Sequence, residues 1–146
     1  MATTFQLPIR IYWEDTDAGG IVFHANYLKF FERARTEWLR SLGLEQQTLR
    51  VQIGGLFVVS EMQLRYLAPA RLDDALVVTA QLQAAGRASL TLLQEAFLRG
   101  STPDASAQLL SAATVRIGWV DAQTMRPTRI PGPLLEKISP CFNPHP

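Results

Sequence analysis

The chain has 146 residues, 47% of them hydrophobic, with 14 basic against 13 acidic side chains. That length suits one compact domain over residues 1–146, with a core at about 5–120 and a tail at 131–146, and the near-balance of charge gives no global field for nucleic acid. Cys141 is the single cysteine, which excludes an internal disulfide and fits a reducing compartment.

Met1 to Arg10 lacks a basic region followed by an apolar core, and no apolar run approaches the ~18 residues that cross a bilayer. A cytoplasmic location without a membrane span is expected. Phe5, Leu7, Ile9, Ile11 and Trp13 alternate with polar neighbours and predict a half-buried strand. Pro8 places that strand at a sheet edge. After an acidic turn, Tyr27, Phe30, Phe31, Ala34, Trp38 and Leu42 recur at helical spacing, with Lys29, Glu32, Arg33, Thr36, Glu37 and Arg40 opposite. The spacing predicts a helix of about 16 residues, capped by Asn26 and stopped by Gly43 in the left-handed conformation.

Beyond Gly54-Gly55 the period becomes two. Leu56, Val58, Met62, Leu64 and Tyr66 share one predicted strand face. Leu76, Val78, Ala80, Leu82 and Ala84 form the next, turning at Ala85-Gly86-Arg87, and Leu90, Leu92, Ala96 and Leu98 follow, closed by Gly100-Ser101-Thr102-Pro103-Asp104. Leu109, Ala113, Val115, Ile117 and Trp119 mark the last strand. Short connections favour an antiparallel meander of these four strands, and the order predicts an α+β fold with the helix across one face. One helix does not cover five strands, so a second subunit is expected on the sheet or its edge. Leu134, Leu135 and Ile138 predict a terminal helical turn, with loose last residues.

The segment Glu14-Asp15-Thr16-Asp17-Ala18-Gly19-Gly20-Ile21-Val22-Phe23-His24-Ala25-Asn26-Tyr27 joins carboxylates, a flexible pair and a helix start. Asp17 precedes glycines that let the backbone bend toward a ligand, or is a turn aspartate bonded to its own backbone. Asp15 reads as scaffolding. His24 is a base, a hydrogen-bonding guide or a partly buried polar residue. Free N–H groups at the helix start can hold a developing oxyanion whatever the side chain. Glu32 and Glu61 are rival carboxylates on polar faces. No serine has a nucleophile-elbow context, and no metal-ligand spacing or phosphate loop occurs, so neither metal nor cofactor is expected.

The run Tyr12 to Tyr27, with Phe31-Glu32-Arg33-Ala34-Arg35-Thr36-Glu37, closely resembles the 4-hydroxybenzoyl-CoA thioesterase family. It is similar above all to the branch of small acyl-CoA thioesterases associated with the Tol-Pal system of Gram-negative bacteria. Arg65-Tyr66-Leu67-Ala68-Pro69-Ala70-Arg71-Leu72-Asp73-Asp74 resembles that branch too, so the likeness spans roughly residues 5 to 120. The resemblance implies a hotdog fold, an antiparallel sheet wrapped around one long helix. It implies an acyl-CoA thioesterase with Asp17 as nucleophile or general base and the amide of His24 as oxyanion donor. Gly19, Gly20, Val22 and Tyr27 are expected to bind substrate, and Arg87 is the nearest match to the family's phosphate-binding residues. A homodimer or homotetramer is expected. The alternatives are a non-catalytic acyl-thioester binding module and a hotdog dehydratase or hydratase acting on 3-hydroxyacyl thioesters.

Overall fold

In the computed structural model, residues 4–100 and 107–142 are described. The predicted turn at Ser101 to Asp104 and the last residues of the tail lie outside them. Strand β1 (Phe5–Arg10) alternates half-buried and exposed residues as its period-two pattern dictates, and it pairs only with one neighbour, leaving Pro8 on an edge strand. The strand ends before Trp13, however. Trp13 opens a short 3-10 turn (Trp13–Asp15) and is 82% exposed, because the chain leaves the sheet once Ile11 is buried.

Helix α1 (Asn26–Ser41) buries Tyr27, Phe30, Phe31, Ala34, Trp38 and Leu39, each large apolar side chain contributing about 1.5–3 kcal/mol by leaving water. It packs on β1 and on β3 (Ala75–Ala85). Gly43, at φ 81°, turns the chain out of the helix as predicted, its N–H donating to the Arg40 carbonyl. Asn26 is not the cap: Ala25 holds that position without a side-chain bond, and Asn26 is the first helical residue. A helical turn α2 (Gln46–Thr48), continued by a π-turn (Leu49–Ile53), then leads to β2 (Gly55–Tyr66).

The remaining strands are β4 (Ser89–Leu98) and β5 (Gln108–Asp121), and helix α3 (Gly132–Ile138) buries Leu134 and Ile138, the predicted terminal turn. The five strands form one antiparallel sheet in the order β1-β3-β4-β5-β2. The expected four-strand meander therefore holds only for β3, β4 and β5; β2 crosses to the far edge and pairs with β5. A bulge between Val59 and Glu61 also breaks the predicted face of β2, so that Phe57 is buried before it and Met62 and Leu64 are half-buried after it. One extra residue exchanges the two faces of a strand. The same reasoning covers Ala84, which is exposed beyond a register shift after Leu82, and Leu110, buried in place of Leu109 beside a shift at Ala96.

The core lies between α1 and one face of the sheet, where Leu76, Val78, Leu82, Leu90, Leu92, Val115 and Trp119 meet Phe30, Phe31 and Ala34. Among them sits the carboxamide of Gln94, fully buried; its Nε2 donates to the carbonyls of Phe31 at 2.9 Å and Thr79 at 3.2 Å. Arg35, 8% exposed, donates from Nη1 to Gln94 Oε1 at 3.0 Å. Burial lowers the pKa of this guanidinium, while nearby Glu32 opposes the shift.

Candidate active site

The acidic segment forms a tight ribbon against the loop that precedes β3. Thr16 bridges Val22, the Asp17 N–H donates to the Ile21 carbonyl at 2.9 Å, and the Gly20 N–H returns to the Asp17 carbonyl at 3.0 Å. Gly20, at φ 78°, takes the left-handed bend that an L side chain resists. Ile21 bridges Arg71, and the Val22 N–H donates to the Ala70 carbonyl at 2.9 Å. Val22 and Tyr27 are thereby buried.

Asp15 is the structural carboxylate. It is 5% exposed and accepts from the Tyr12 N–H at 2.8 Å and from Asn26 Nδ2 at 2.9 Å, so it locks the turn to the first residue of α1. Asp17 is exposed, and its Oδ1 accepts the Gly19 N–H at 2.8 Å. Its Oδ2 accepts no hydrogen bond among the described residues. The turn-aspartate geometry is thus present, with one oxygen left for another role.

His24 stands at the lip of a crevice of about 340 Å³ lined by Ile21, Val22, His24, Tyr27, Tyr66, Leu67, Ala68 and Pro69. Its ring packs against Phe23 and, edge-on, against Tyr66. Among the described residues its backbone N–H meets no acceptor, as the first amides before a helix commonly do. Its carbonyl is held by the Tyr66 hydroxyl, which donates at 2.7 Å. Tyr27, from the first turn, stacks edge-on with Tyr66, and its hydroxyl accepts the Ala70 N–H at 3.3 Å. Burial raises the pKa of both phenols, so each stays a neutral hydroxyl near pH 7.

The structure brings Val22, His24 and Tyr27 together and adds Tyr66, which the sequence places on a strand face and in the run resembling the thioesterase branch but to which it gives no role at the site. Asp17, Gly19 and Gly20 form the adjoining ribbon and do not line the crevice. Arg87 lies elsewhere: it follows β3, whereas the ribbon meets the chain just before that strand. An 11-residue strand separates them, about 35 Å at ~3.3 Å per residue. Glu61 is exposed beside the β2 bulge, and Glu32 lines a separate groove between α1 and β2. Among the described residues no cluster of three or more His, Cys, Asp or Glu is placed to hold a metal, and no helix is long and apolar enough to cross a membrane.

Residues 19–103 match the model of the thioesterase superfamily. The acyl-CoA thioesterase YbgC of Haemophilus influenzae is 42% identical over 127 residues, 87% of this chain and 88% of that protein. The acyl-CoA thioester hydrolase YbgC of Escherichia coli O6:H1 is 42% identical over 129 residues, 88% of this chain and 91% of that one. Among solved structures, Slr0204, a 1,4-dihydroxy-2-naphthoyl-CoA thioesterase from Synechocystis, superposes with a TM-score of 0.82 at 25% identity, covering 99% of this chain and 100% of its own. The sheet-and-helix arrangement is the hotdog fold that the resemblance implied, and the chain belongs to the thioesterase superfamily.

Proposed function

We propose that this protein is an acyl-CoA thioesterase, converting an acyl thioester and water to a carboxylic acid and free CoA. The observation that carries the reading is the N–H of His24, unpartnered among the described residues, on a residue whose carbonyl accepts the Tyr66 hydroxyl at the mouth of a largely apolar crevice at the start of α1. Such a donor faces the charge that develops on a thioester carbonyl oxygen and is worth ~3 kcal/mol of barrier by comparison with other oxyanion donors. The thiolate leaves with a pKa near ~8.5, by analogy with cysteine, and needs little protonation. One carboxylate then suffices: Asp17 attacks the carbonyl to give a mixed anhydride or activates a water.

Val22 and Tyr27 would wall the acyl group, and Gly19 and Gly20 would let the ribbon approach the thioester. An exposed Asp17 gains catalytic power only when something covers it, which supports an active homodimer or homotetramer. Arg87 supports the same reading, because its distance from the ribbon leaves a neighbouring subunit to present it to CoA phosphates. A cytoplasmic location fits the CoA substrate.

Thiol release over short, long and aromatic acyl-CoAs tests the proposal. Turnover of at least one of them is expected, and Asp17→Asn should abolish most of it with circular dichroism unchanged. An unaltered rate in Asp17→Asn removes that residue from the mechanism. The exposed, Gly19-bonded carboxylate favours one rival, a binding module on the same fold; acyl-CoA binding without any thiol release would establish it instead.

A further inference from the structure

The crevice at the start of α1, about 340 Å³, grades from an exposed lip to a buried floor. His24, Tyr66 and Leu67 form the lip, whereas Val22, 4% exposed, and Tyr27, 3% exposed, form the floor. Of its eight lining residues, only His24, Tyr27 and Tyr66 carry a polar side chain. The Tyr66 proton is committed, because that hydroxyl donates to the His24 carbonyl.

The Tyr27 hydroxyl is engaged the other way. Its oxygen accepts the Ala70 N–H at 3.3 Å, and the Val22 N–H donates to the Ala70 carbonyl, so the phenol oxygen lies where the ribbon meets the chain just after Ala68 and Pro69. A phenol has one proton to give, and among the described residues no acceptor takes it. Burial raises its pKa, so the group keeps that proton near pH 7. The floor of an otherwise apolar crevice thus holds a neutral donor with a proton to spare.

A bound group that displaces water from such a donor without accepting its hydrogen bond loses affinity. A site that hydrogen-bonds a substrate oxygen also rejects the analogue lacking it far more sharply than an apolar pocket separates one methylene from none. With the thioester carbonyl at the His24 N–H on the lip, the acyl group runs inward toward Tyr27. The crevice is near the lower end of the ~300–1,000 Å³ range of ligand pockets, which suits a short chain or a single ring.

We propose that Tyr27 is a specificity-determining residue: its hydroxyl donates to an oxygen carried on the acyl group, so that hydroxyacyl or oxoacyl thioesters are preferred to unsubstituted ones of equal size. This rests on the thioesterase reading above and names its substrate class.

Matched pairs of substrates test the assignment. Thiol release gives kcat/KM for butyryl-CoA against 3-hydroxybutyryl-CoA, and for benzoyl-CoA against its ring-hydroxylated forms. The oxygenated member of at least one pair should lead by about tenfold or more, and the pair that shows it separates an aliphatic from an aromatic substrate. Tyr27→Phe keeps the ring and removes the donor, so that lead should shrink toward equality. A purely structural hydroxyl would slow both members alike in Tyr27→Phe, and a ratio unchanged from the native protein overturns the proposal. Equal rates within every pair in the native protein overturn it too, even where Tyr27→Phe fails to fold. If no acyl-CoA releases thiol, calorimetric dissociation constants for the same pairs carry the test: a preference for the oxygenated member sustains Tyr27 while the thioesterase reading falls, and equal constants overturn both.

Discussion

Asn26 Nδ2 donates to Asp15 Oδ1 at 2.9 Å, a buried bond that fastens the first turn of α1 to the acidic turn 11 residues earlier. The same carboxylate takes the Tyr12 N–H, so both of its oxygens are engaged. Truncation by Asn26→Ala leaves one of them buried without that donor. Hydrogen bonds to charged groups are worth about 1.5–3 kcal/mol, and a loss of about 2 kcal/mol is expected as a lower urea midpoint at unchanged m-value.

That bond also shows what the sequence did and did not make legible. Asn beside a helix start reads as a cap, and the division of labour between Asp15 and Asp17 follows from which one finds a donor across the turn. Sequence spacing does not carry that information. The helix and all five strands were visible because burial imposes periods of 3.6 and two on neighbouring residues. The position of β2 was not, since pairing with β5 joins residues some fifty apart and leaves no local trace. Its inverted face comes from the bulge at Ser60, a single residue that alternation counts wrongly. The burial of Arg35 was not legible for a related reason: it depends on Gln94, 59 residues away on β4.

Tyr66 acts through His24 as a positioning residue. Its hydroxyl holds the carbonyl of the residue whose N–H is the proposed oxyanion donor, and the phenol ring closes the crevice beside Tyr27. Tyr66→Phe keeps the ring and frees the carbonyl. Because the side chain is half-exposed, water replaces part of the bond; about 1 kcal/mol of positioning, or a roughly fivefold fall in kcat at little changed KM, is expected. Loss confined to KM would place Tyr66 in substrate binding instead.

Gly19 and Gly20 should respond in opposite ways to alanine. A Cβ on Gly19 would lie 3.2 Å from Asp17 Oδ1, while its backbone is not left-handed. Gly19→Ala should therefore gain about 0.4–1 kcal/mol of stability through the unfolded chain and lose roughly tenfold in kcat as the carboxylate yields by a fraction of an ångström. Gly20→Ala has open space around it but a φ of 78°, and should lose about 1–2 kcal/mol. Thermal melts and thiol-release rates on the two variants separate these effects. Equal activity in Gly19→Ala and the wild type would count against a catalytic Asp17.

Gly55 opens β2 directly beneath Trp119 on β5. A Cβ there would fall 2.2 Å from Cζ2 of the indole, and Trp119 is itself wedged edge-on against Phe57 at 4.9 Å. The ring is nearly fully buried and has no free side to move toward. Gly55→Ala should cost about 1–3 kcal/mol by overpacking, read as a lower melting temperature. Trp119→Phe, with its smaller ring, should relieve much of that clash in the double variant, so the two substitutions are expected to be non-additive. Strict additivity would mean that strain in the β2 backbone, rather than the indole contact, fixes glycine at this position.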